Sequence, residues 1–145
     1  MSRVARNVVR SMVSAVLLLA GAGAFGAGCS ARMAERADAA IDSLDSWKAV
    51  DGFYAKYRAC DDGSIAEGVS EAVIRLLVDR RAALRDTPPP PLLKPALRRF
   101  VVAHVDTTVA TQDLEALAKS DETDCASALA DFCREIKVAA ARALK

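Results

Sequence analysis

Residues 64–85 read SIAEGVSEAVIRLLVDRRAALR, and their spacing decides the fold class. Ile65, Val69, Val73, Leu76, Leu77, Ala83 and Leu84 recur every three or four positions, which places them on one face of an α-helix. Arg80, Arg81 and Arg85 stand at the C-terminal end, where the helix dipole favours cations. Ser64 with Glu67 three residues later has the form of a capping box, and the break before it is Cys60-Asp61-Asp62-Gly63. Thr87-Pro88 stops the helix. Each proline from Pro88 to Pro91 fixes φ and removes an amide donor, so an extended polyproline spacer is predicted there.

The same period extends in both directions. Ile41, Leu44, Trp47, Val50, Tyr54 and Tyr57 form a stripe that predicts a helix from 41 to about 59, with Gly52 as its weak point. Beyond the prolines, Pro95 suits a first helical turn, and Leu97, Phe100, Val101 and Val105 predict a third helix. Thr111 is placed to cap a short helix carrying Leu114 and Leu117. The acidic run 121–124 suits a helix start, and Cys125, Leu129, Phe132, Cys133, Ile136 and Ala140 lie on one face of a last helix. The reading is all-α, a small bundle of four to five helices in a single domain over 41–145. Residues 29–40, which alternate Ala with charges, are expected to be a flexible tether.

The N-terminus has a different composition. Arg3, Arg6 and Arg10 precede an uncharged stretch from 11 to 31 whose most apolar part is 12–20. That run is shorter than the roughly 20 apolar residues a membrane span needs, and Ala20-Gly21-Ala22-Gly23-Ala24 supplies the small side chains a signal peptidase accepts. Residues 1–28 are therefore expected to be a cleaved signal peptide. Gly26-Ala27-Gly28-Cys29-Ser30 resembles a bacterial lipoprotein processing site, in which small residues precede a cysteine that becomes the lipidated N-terminus. It departs from that pattern at Gly26, where an aliphatic residue normally stands. The resemblance implies Cys29 as a lipidation site; the alternative is an ordinary cut after Ala24 or Ala27 that releases a free protein. The expected address is the periplasm, or the outer membrane as a lipoprotein.

The chain holds 20 Lys and Arg against 19 Asp and Glu. Without Arg3, Arg6 and Arg10 the balance is about −2 over about 116 residues, enough for one domain. A near-neutral domain argues against nucleic acid, which selects clustered cations. With Cys29 lipidated, Cys60, Cys125 and Cys133 remain. On a continuous helix Cys125 and Cys133 would be about 12 Å apart, beyond the roughly 7 Å reach of a disulfide. Cys60 is therefore expected to bridge Cys125 or Cys133.

Chemistry-bearing patterns are sparse. The cysteines lack C-x-x-C spacing and His104 is the single histidine, so no metal and no cofactor is expected. Asp61-Asp62-Gly63 lacks the alternating acids of a calcium loop, and Val69 stands where its glutamate would be. Asp61 and Asp62 are candidate partner contacts, since two adjacent carboxylates exceed what a helix cap requires. An enzyme would have to use Cys60 as thiolate with His104 and Asp61 or Asp62. Against it stand the oxidising compartment and the absence of a phosphate loop or a serine elbow. The expectation is a non-enzymatic binding protein of the cell envelope, free or lipid-anchored, whose partner is another envelope protein and which touches the membrane only through such an anchor. In size and address the chain also looks like immunity proteins that neutralise wall-degrading toxins.

Overall fold

A computed structural model describes residues 28–121 and 124–145, so the signal-peptide expectation lies almost wholly outside the described residues. Within them the structure is all-helical, without a strand. Seven α-helices follow in order: α1 Ala31–Ala40, α2 Trp47–Tyr57, α3 Gly63–Asp79, α4 Arg81–Asp86, α5 Pro95–Ala103, α6 Thr111–Ala118 and α7 Ala130–Ala143. The bundle is confirmed. The helices outnumber the four to five expected because residues 31–40 are helical and the second long stripe is split at Arg80.

α3 runs through the centre, burying Ile65, Val69, Ala72, Val73, Ile74, Leu76 and Leu77. Its stripe continues to Leu84, but the backbone breaks at Arg80 (φ −114°, ψ 27°) and α4 starts afresh. The first stripe is divided in the same way. Ile41–Ser43 is a 3₁₀ turn, and Ser46 caps α2 by accepting from the Ala49 amide. α2 buries Trp47, Val50 and Phe53, with Tyr54 and Tyr57 half-buried at its edge. The cap of α3 is Asp62 rather than Ser64, its side chain accepting from the Gly63 amide at 2.8 Å.

Three expectations about connections are corrected. Residues 31–40 form a helix rather than a tether, because Ala34 and Ala37 are small enough to let the backbone pack closely, and both are buried. The prolines do not stay extended throughout, since after Pro89 (φ −57°, ψ 125°) Pro90–Leu93 is a 3₁₀ turn that seats Leu92 fully in the core. Arg98 holds that turn, donating through Nε to the Leu92 carbonyl and through a terminal nitrogen to the Ala128 carbonyl at 3.0 Å. The third correction is the disulfide.

Cys60 does not bridge Cys125 or Cys133. It pairs with Cys29, their Cα atoms 5.0 Å apart, and Cys125 pairs with Cys133 at 6.6 Å. The expected separation of about 12 Å assumed a helix running through both residues. α7 starts only at Ala130, and the 3₁₀ turn Ser127–Leu129 folds Cys125 back toward the first turn of the helix. The Ala126 amide donates to the Leu84 carbonyl at 2.9 Å, fixing this turn to the end of α4.

Loop closure stabilises a fold more the longer the loop. With sequence separations of 31 for Cys29–Cys60 and 8 for Cys125–Cys133, Cys60→Ser should cost about 3.5 kcal/mol and Cys125→Ser about 2.5 kcal/mol in denaturant melts. The reverse order would contradict these pairings.

Gly68 marks a close approach. A Cβ there would stand 2.8 Å and 2.9 Å from Ile41 Cγ2 and Cδ1, where the 41–43 turn crosses α3. An interior helical glycine costs about 1 kcal/mol relative to alanine. Gly68→Ala should therefore lower the melting temperature of the wild type and raise it in an Ile41→Ala background, as thermal denaturation of the four proteins will show.

Candidate functional site

Ser70 and His104 are the two buried polar side chains among the described residues, 1% and 4% exposed, and they bond to each other. Ser70 lies midway along α3 within its apolar stripe, and His104 closes the last turn of α5. Ser70 Oγ is 2.9 Å from His104 Nδ1. The other ring nitrogen, Nε2, is 3.1 Å from Asp61 Oδ2 at the corner that leads into α3. Asp106 Oδ2 lies 3.4 Å from Ser70 Oγ.

The donors follow from chemistry. An ionised carboxylate only accepts, so His104 Nε2–H donates to Asp61. Nδ1 of the neutral ring then accepts the Ser70 hydroxyl proton, and the longer approach to Asp106 is left without it. When the ring is doubly protonated, Nδ1–H donates to Ser70 Oγ and the hydroxyl turns to Asp106. Both ring states keep their hydrogen bonds, which is what a buried imidazole requires. Asp61 Oδ1 is buried with no hydrogen-bond partner among the described residues, so His104 is the contact that holds this carboxylate inside.

Aromatic rings close the other side. Phe100, one turn before His104, meets the imidazole edge-on with ring centres 4.5 Å apart, and Tyr54 of α2 lies 5.0 Å from Phe100. Arg58 stands over Tyr54 at 5.5 Å. The Cys29–Cys60 disulfide adjoins Asp61 in sequence. One buried chain of contacts thus connects α2, the 60–62 corner, α3 and the end of α5.

Asp–His–Ser in series has the composition of a hydrolytic triad, but its arrangement differs in two respects. In serine hydrolases the ring faces its serine through Nε2 and its carboxylate through Nδ1; here the two are exchanged. A nucleophile must also be reached by its substrate, whereas Ser70 is 1% exposed. The arrangement satisfies buried polar groups and orders the elements that carry them.

The structure brings only some of the expected site residues together. Asp61 turns inward to His104, its side chain 19% exposed, so its carboxylate is engaged within the chain rather than offered to a partner. Asp62 stays exposed as the α3 cap. The sulfur of Cys60 is bonded to Cys29, which leaves no thiolate for the Cys60–His104 pairing. Cys29 has likewise no thiol left for a lipid, so lipidation at Cys29 and this disulfide exclude each other. Among the described residues no group of three His, Cys, Asp or Glu is placed to hold a metal ion. Ser70 escaped the sequence reading, although its position is a signal: it occupies the stripe of Val73, Ile74 and Leu77, where a hydroxyl needs a partner.

Two clefts lie outside this network, along the solvent edge of α3. The larger, about 490 Å³, runs between α3 and the start of α6 and is lined by Glu71, Arg75, Thr108, Thr111 and Asp113. The smaller, about 150 Å³, shares Arg75 and adds Asp42, Asp45, Asp79 and Arg80. Five carboxylates against two guanidinium groups make this edge acidic. No family model, no curated protein and no solved structure matches the chain.

Removing one partner from a buried pair leaves the other unsatisfied, at about 1–3 kcal/mol. Ser70→Ala should cost that much in wild type. In a His104→Leu background, where only the longer approach to Asp106 at 3.4 Å remains, the same change should cost less than half as much. Equal costs in the two backgrounds, measured in urea, would show that the hydroxyl and the imidazole are not coupled.

Proposed function

We propose that the chain is an exported cell-envelope protein that works by binding another protein, and that it is not an enzyme. The observation that carries this reading is the state of its reactive side chains: the Ser70 hydroxyl and the His104 ring are enclosed, and the Cys60 sulfur is spent in a disulfide. Two disulfides suit an oxidising compartment, which agrees with the Arg-rich, then apolar, leader of the sequence. Among the described residues no helix is long and apolar enough to cross a membrane. With Cys29 joined to Cys60, the favoured form is free in the periplasm, and a lipid anchor belongs to the alternative in which Cys29 is acylated and Cys60 is released.

The acidic edge of α3 is the surface we assign to the partner. Charges facing a groove steer association and select partners of opposite sign, so the partner presents a cationic segment. An immunity-type protein that neutralises a wall-degrading toxin is one form of such a binder.

The test is retention of envelope proteins from the source cells on the immobilised oxidised protein, compared with a Glu71→Lys, Asp113→Lys variant. The reading predicts a partner retained by the wild type and by Ser70→Ala, and lost by roughly tenfold or more from the charge-reversed variant. A hydrolytic activity that Ser70→Ala abolishes would contradict it, as would retention indifferent to the reversal.

A further inference from the structure

The outer face of α7 carries apolar surface that the bundle does not cover. Val138 is 51% exposed and Leu144 39%, two of the three large hydrophobic residues left exposed in the described chain. Val138 borders a groove between α5 and α7 made of two adjoining clefts, about 260 Å³ and about 390 Å³, which share Val102, Ala139 and Arg142. Glu135, Val138, Ala139 and Arg142 are spaced by three, one and three residues, so they form one stripe on a side of the helix distinct from the buried Phe132, Cys133, Ile136 and Ala140.

We infer that this face binds a second copy of the chain, with the two α7 helices antiparallel about a two-fold axis between Val138 and Ala139. The charges on the stripe select this occupant. Glu135 and Arg142 make no ion pair among the described residues, and seven positions along a helix hold them about 10.5 Å apart, too far to pair within one copy. In an antiparallel pair centred between 138 and 139 they stand at equal and opposite distances from the axis. Glu135 of each copy then meets Arg142 of the other, twice by symmetry. The same register sets the protruding Val138 of one copy against the small Ala139 of the other, at the mouth of the groove beside Val102. A two-fold interface requires such self-complementarity, each patch fitting its own copy. The parallel arrangement would oppose Glu135 to Glu135 and Arg142 to Arg142, which is repulsive. The inference does not depend on the acidic edge of α3 or on the binding role proposed for it.

Sedimentation equilibrium of the oxidised, exported protein over a range of concentrations tests it. The wild type should show a reversible dimer. Glu135→Arg should weaken that dimer by roughly tenfold or more, because like charges then oppose across both contacts. Adding Arg142→Glu to Glu135→Arg exchanges the two charges and should restore it, while circular dichroism and the melting temperature show that each variant is folded. Restoration by the exchanged pair is not expected from a variant that merely unfolds. A wild type that stays monomeric at every concentration would overturn the inference and leave the face to a different partner. A dimer indifferent to Glu135→Arg, or one the exchanged pair does not restore, would overturn it equally.

Discussion

A buried imidazole with both ring nitrogens engaged is the contact on which the arrangement of the helices rests. His104 can stay inside only while Nε2 faces the Asp61 carboxylate and Nδ1 faces the Ser70 hydroxyl, at 3.1 Å and 2.9 Å. Those partners come from the corner before α3 and from its middle, and the ring itself comes from the end of α5. His104 lies 43 positions from Asp61 and 34 from Ser70 in sequence, so the network enforces one relation between the end of α5 and the start of α3 that apolar packing alone would leave open to sliding. Hydrophobic contacts supply the greater part of the stabilisation and tolerate small shifts; hydrogen bonds to a buried ring do not.

The disulfides act on the same problem from the ends of the chain. Cys29–Cys60 draws the start of α1 against the corner that presents Asp61, so the first helix packs against α2 and α3 with Ala34 and Ala37 buried instead of trailing away. Cys125–Cys133 decides where α7 can begin, since Cys125 must lie off the helix for its sulfur to reach Cys133. That start sets the rotation of α7 about its axis. Phe132, Cys133 and Ile136 are turned inward, and the stripe of Glu135, Val138 and Arg142 is turned to solvent.

The helical class was legible in the sequence because the apolar period is 3.6 over nearly every segment, and the core of α3 follows the stripe from Ile65 to Leu77. Helix ends were less legible. The breaks at 41–46 and at Arg80 come from tertiary packing that periodicity does not register, and a turn that buries Leu92 overrides the extended preference of the prolines. The cysteine pairing followed from the helix limits, so assuming a continuous helix from 125 led directly to the wrong partners. At the site, Asp61 and His104 were visible as residue types, and their contact crosses 43 positions. Ser70 could have been found as a hydroxyl within an apolar stripe.

His104 is the single histidine of the chain, which makes its ring directly observable. Long-range ¹H–¹⁵N correlation NMR of the imidazole tests most directly whether the network is a closed structural pin. The account predicts a proton on Nε2 that exchanges slowly with water and an Nδ1 resonance displaced by its hydrogen bond to Ser70, both altered by Ser70→Ala and by Asp61→Asn. A ring whose proton exchanges at the rate of free imidazole, insensitive to either substitution, would contradict it.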